Sequence, residues 1–209
     1  MTSTNHPSGK TVASRAWGLV VVGYSITAVA LVAFLTINGV SGIPDAATIG
    51  TAGLVVIGLL LPTAGMLQLG RRLSPIERAA RFGFAMQALG LLGLLFGVVL
   101  VVEVTTLSGY FLSAALIAAS GVSATAGAVL LRGHYGAPQP RSRGIAYLIL
   151  GTLLLFTGVG IIVGSDIAYE YWISQVENTV YVDMGATVSA CGCVLAAYSF
   201  FVLHNRSSS

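Results

Sequence analysis

The chain has 209 residues, 56% of them apolar and 8% charged, with a formal net charge of +3 and a mean hydropathy of +0.89. That composition is too apolar for a water-soluble domain of this size, and the polar remainder is too small to build a second one. A pI near 9.1 would suggest nucleic acid in a soluble protein, but here the basic residues are placed for another purpose, and no nucleic-acid partner is expected.

A polar tail, residues 1–14, precedes the first uncharged run. A helix needs about 20 apolar residues to cross the hydrocarbon of a bilayer. Six such runs follow in order: Ala16 to Asn38, Ala47 to Leu69, Phe82 to Val102, Tyr110 to Leu131, Ile145 to Val163 and Met184 to Leu203. The first follows Lys10 and Arg15 as a signal peptide would. Its length exceeds the roughly 7–15 residues of a signal core, and Ala28-Val29-Ala30, the one cleavage-like pattern, falls inside the run. It reads as a membrane helix. Residues 206–209 form a second short tail. The pattern predicts an all-α membrane protein: residues 15–205 make a compact bundle of six transmembrane helices arranged as three hairpins.

The ten basic residues are Lys10, Arg15, Arg71, Arg72, Arg78, Arg81, Arg132, Arg141, Arg143 and Arg206. With six spans, all of them fall on one side. Asp45, Glu103, Asp166, Glu170, Glu177 and Asp183 fall on the other, and only Glu77 lies among the arginines. Lys and Arg are retained on the cytoplasmic side during insertion. Both termini are therefore expected in the cytoplasm, and the chain in the cell membrane. The densest stretch, "GRRLSPIERAARFG", holds Arg71, Arg72, Arg78 and Arg81. It reads either as an anchor whose arginines meet lipid phosphates or as a docking site for anionic headgroups or a cytoplasmic partner. Within it, Ser74-Pro75-Ile76-Glu77 has the residues of a helix start at Pro75.

No Asp, Glu, Lys, Arg or His falls in the central part of any span. Ionisable groups at that depth mark proton relays and ion sites, so a proton pump or a carboxylate-based cation carrier is not expected. The polar side chains in the spans are milder: Tyr24, Ser25, Thr27, Gln68, Gln87, Ser120, Ser123 and Thr125. They serve either as helix-packing ties or, through Tyr24, Gln68, Gln87, Ser120 and Ser123, as the lining of a solute path. Small residues point to close packing. Gly93/Gly97 and Gly160/Gly164 have GxxxG spacing, and Ala115, Ala119, Ser123 and Gly127 step by four. Pro62 removes a bond to the Gly58 carbonyl and predicts a kink, which a gate or a static helix can equally contain.

Several chemical motifs fail. Cys191 and Cys193 lie about 200° apart around a helix, so one metal cannot take both thiols. His6, His134 and His204 sit in tails or a loop, which leaves no paired haem ligands. "ASGVSATAG" is similar to the serine motif of rhomboid proteases, but the activating histidine that family needs in its last span is missing. Asn205-Arg206-Ser207 fits a glycosylation pattern on the wrong side of the membrane. No catalytic, metal or cofactor-binding residues are assigned.

A repeat runs through the chain. Thr63-Ala64-Gly65 parallels Thr125-Ala126-Gly127, and Gly83/Gly90 parallels Gly144/Gly151. Three related hairpins in a chain of this length resemble the layout of the HdeD-type acid-resistance membrane proteins; the long last outer loop departs from them, and no functional residue is carried across. That loop, Ser165 to Asp183, holds four acids with Tyr169, Tyr171, Trp172 and Tyr181. It reads as an interfacial helix or cap, or as a binding surface centred on Glu170, Tyr171 and Trp172. Two functions follow. The first is a non-enzymatic accessory or assembly subunit that binds another membrane protein, or a second copy, through Gly/Ala/Ser faces. The second is a channel or carrier for a small neutral solute.

Overall fold

The computed structural model describes residues 9–38, 45–103, 106–135, 141–171 and 178–205. Six α-helices account for nearly all of them, and no strand occurs among the described residues. They are α1 (Gly9–Asn38), α2 (Asp45–Arg72), α3 (Arg78–Glu103), α4 (Leu107–Tyr135), α5 (Arg141–Tyr171) and α6 (Asn178–Asn205). Each is long and apolar enough to cross a membrane. The chain is a multi-pass membrane protein, a helical bundle with lipid as its solvent.

Every helix outruns the apolar run that predicts it. At 1.5 Å per residue the 31 residues of α5 extend about 46 Å, beyond the roughly 30 Å of hydrocarbon. This corrects the reading of Ser165 to Asp183 as a loop: α5 continues to Tyr171, α6 starts at Asn178, and only residues 172–177 fall between. Backbone amides leaving hydrocarbon still gain by bonding within a helix, so hydropathy marks where lipid ends and not where the helix does. The helix start at Pro75 is present with Ser74 as its N-cap, and its first turn is 3-10. Pro75–Glu77 form a 3-10 turn ahead of Arg78, with the Glu77 carboxylate accepting from Ser74 N at 3.0 Å and Ser74 Oγ at 3.3 Å. At α4, Thr106 Oγ1 accepts from Gly109 N at 3.3 Å, as an N-cap does.

The helices form a ring in chain order. Each packs on its sequence neighbours, and α6 closes the ring against α1. The tightest packing is within the hairpins α1–α2, α3–α4 and α5–α6, and all three use one seam. Gly83, Gly90 and Gly97 of α3, seven apart, meet Gly127, Ser120 and Ser113 of α4, also seven apart. Gly144, Gly151 and Gly158 of α5 meet Ser199, Gly192 and Gly185 of α6 in the same way. In the first hairpin Ala16 meets Gly65 and Gly23 meets Gly58, with buried Ala30 and Thr51 continuing the series. The repeat seen in the sequence is therefore a repeat of contacts, in the register set by Thr63-Ala64-Gly65 and Thr125-Ala126-Gly127.

Close approach explains the glycines. Apolar side chains gain little by leaving lipid for protein, so membrane helices associate through dense van der Waals contact and backbone proximity. A seven-residue period belongs to left-handed antiparallel packing, whereas GxxxG spacing of four belongs to right-handed crossings. The GxxxG readings divide accordingly. Gly93 and Gly97 lie against Ser120 and Ile117, but Gly160 and Gly164 have open space where a side chain would be. The four-step face fares the same: Gly127 is in the seam, while Ala115 and Ala119 are exposed. Pro62 is buried inside an unbroken α2, and a side chain at Gly23 would fall on its ring. It is a packing element of the first hairpin.

Candidate functional site

Most hydrogen-bonded polar side chains in the spans fall into two groups, while Thr152 Oγ1 is buried without a partner. Ser25, Thr27, Thr63 and Ser120 donate to carbonyls of their own helix at 2.6–3.0 Å. Others tie one hairpin partner to the other. Gln87 Nε2 donates to Ala124 O at 2.9 Å, Ser123 Oγ to Met86 O at 3.1 Å, Ser113 Oγ to Gly97 O at 2.6 Å and Ser189 Oγ to Leu155 O at 3.2 Å. Gln87 is fully buried, and its Oε1 has no partner.

The residues named for a solute path do not converge. Gln87, Ser120 and Ser123 belong to the α3–α4 hairpin. Tyr24 is buried 6.3 Å from Phe200, between α1 and α6. Gln68 is exposed on the outside, where it lines a groove with Arg15, Gly18 and Val22. If Gln87 is a packing residue, Gln87→Leu removes one interhelical bond, worth about 0.6 kcal/mol on average in such bundles, together with the unpartnered oxygen. Reversible unfolding in detergent should then change by less than about 1 kcal/mol.

The axis of the ring holds a cluster that the sequence reading missed. Trp17 of α1 lies edge-on to Phe84 of α3 and Tyr135 of α4, with centroids 6.4 and 6.3 Å away. It also meets Phe200 at 5.6 Å and stacks on His204 at 5.9 Å, both from α6. Because α3 and α4 are not neighbours of α1 in the ring, these contacts cross its centre. The signal lay in the repeat: Trp17, Phe84 and Ile145 each follow the first seam residue of their hairpin. Tyr24, Leu91 and Thr152, seven residues on, form a second buried layer. The third layer is looser, with Leu31 and Val159 half-buried and Val98 38% exposed.

At the end of the bundle where Trp17 lies, Arg71, Arg72, Arg78 and Arg81 are all exposed. At the other end Glu170 and Tyr171 are the last residues of α5, with their side chains outside the described residues, and Trp172 lies wholly outside them. Cys191 is exposed and Cys193 buried, the opposite orientations that their spacing predicts. Among the described residues no group of three or more His, Cys, Asp or Glu could hold a metal.

One further feature lies on the lipid-facing side. An apolar groove of about 850 Å³ runs between α4 and α5, floored by Ile117 and Phe156 and including Gly160 and Gly164. No protein-family signature matches the chain, and no curated protein or solved structure is detectably similar to it.

Proposed function

We propose that this protein is a non-enzymatic accessory or assembly subunit of the cell membrane, oriented with its arginines in the cytoplasm. It holds another membrane protein, or a second copy, through exposed small-residue helix faces and the acidic aromatic end of the last hairpin. The observation carrying this reading is how the interior polar groups are used. Gln87, Ser113, Ser123 and Ser189 bond the facing helix of their own hairpin, and Trp17 with its ring partners fills the axis. An interior spent on cohesion leaves the outer surface for recognition. Gly50 and Gly53 of α2 offer such a surface, with nothing within 4 Å of either position and exposed Ile49, Leu54 and Ile57 beside them. Glu170, Tyr171 and Trp172 supply contact area and charge at the far end.

Gentle extraction from native membrane tests it: a stoichiometric partner, or a defined homo-oligomer, should copurify. Recovery of a lone monomer from every mild detergent would count against it. Orientation is checked by labelling single cysteines placed at Trp172 and Arg141, which should react from opposite compartments.

The carrier reading for a small neutral solute draws support from the loose third layer around Leu31, Val98 and Val159, which leaves the axis less filled away from Trp17. Saturable flux in proteoliposomes, altered by Gln87→Leu or Ser123→Ala, would favour it over the subunit reading.

A further inference from the structure

The α4–α5 groove exists because the third hairpin departs from the other two. Counting from the seam, Gly160 corresponds to Val32 and Val99, and Gly164 to Thr36 and Glu103. On α4, Gly121 corresponds to Leu59 and Cys193. Larger residues stand at these positions elsewhere; here Gly160 and Gly164 have nothing within 4 Å of a would-be Cβ. The α4 wall, Ala114 to Leu130, extends about 24 Å along the helix, most of the roughly 30 Å of hydrocarbon. Taking roughly 30 Å³ for a unit the size of a water or methylene, the groove's 850 Å³ holds about 28 of them. That matches the two tails of one diacyl lipid.

Charge selects the lipid. Arg132 lies seven residues beyond Thr125 and fourteen beyond Ala118, on the face of α4 that lines the groove. Arg143 lies fourteen residues before Thr157, on the corresponding face of α5. Both are exposed, and they bracket one end of the groove. Among the described residues the only acid at that end is Glu77, which is bonded to Ser74 in the turn before α3. Asp166 and Glu170 belong to the far end of α5, and Asp183 to the facing start of α6. A phosphate is therefore attracted to one mouth of the groove and repelled from the other.

We propose that this groove is a binding site for an anionic glycerophospholipid, with its tails against Gly121, Phe156 and Gly160 and its phosphate at Arg132 and Arg143.

The test uses the full-length protein in neutral detergent, with phosphatidylglycerol or phosphatidylcholine added and bound lipid counted by native mass spectrometry. Wild-type protein should retain phosphatidylglycerol on the order of tenfold better than phosphatidylcholine, and R132Q/R143Q should remove most of that preference. Gly160→Leu places its side chain in open space, so the protein stays folded, and it should lose retention of both lipids. Equal retention of the two lipids by wild type, or unchanged retention in both variants, overturns the site. So does a dimer that Gly160→Leu converts to monomer, since a second copy would then be the occupant.

Discussion

Gly192→Val should disrupt the last hairpin. A Cβ on Gly192 would fall on the backbone nitrogen of Leu155 and the carbonyl oxygen of Gly151. Neither atom can move aside without shifting a whole helix, which separates this site from one where a flexible side chain could give way. The expected loss is about 3 kcal/mol or more, at the upper end for overpacking, measured by reversible unfolding or steric trapping in detergent. Gly164→Val in the neighbouring α5 is the control: with open space around it, stability should stay within about 0.5 kcal/mol of wild type. Equal losses at the two sites would show that intrinsic helix propensity, and not seam packing, governs these glycines.

Trp17→Ala should be of similar size. The indole touches rings from three other helices, and removing a buried aromatic of this kind costs about 3–5 kcal/mol in lost contact and residual cavity. Trp17→Phe should recover part of it, because a smaller ring keeps some of the edge-on contacts. The same variant bears on the filled axis: in proteoliposomes Trp17→Ala should raise small-solute leak if the cluster is what seals the centre. A variant as stable as wild type would mean that the three hairpins are held by the ring of helix contacts alone.

Much of the fold was legible because lipid imposes simple rules. Uncharged runs of about twenty residues have no alternative to a helix, and a threading of six spans is the one that gathers the ten basic residues of the sequence to a single side. The hairpin register was visible too, in the matched Thr-Ala-Gly triplets. What escaped has definite causes. Spacing of four draws attention in a glycine-rich helix, yet the seams use spacing of seven, and five of their nine steps place Ser, Ala or Thr where a search for glycine pairs would not look. Trp17 stands at the edge of its apolar run, where an aromatic ordinarily suggests the interfacial belt; nothing local says that it points across the ring. The α4–α5 groove is a difference between repeats, and it emerges only once Gly160 is set beside Val32 and Val99. The polar residues suggested for a solute path share a chemistry but not a place, since Gln68 faces outward while Gln87 is buried in a seam.

The closure of α6 onto α1 has an architectural consequence. Each hairpin leaves the membrane on the side where it entered, so a two-helix unit can be copied in tandem without inverting any copy. With first and last helices adjacent, no unit is topologically terminal. Opening the ring between α2 and α3 and linking residue 205 to residue 9 would preserve every helix neighbour. A threefold plan of this kind lets one junction between units diverge, as α4–α5 has, while the other two keep the assembly closed.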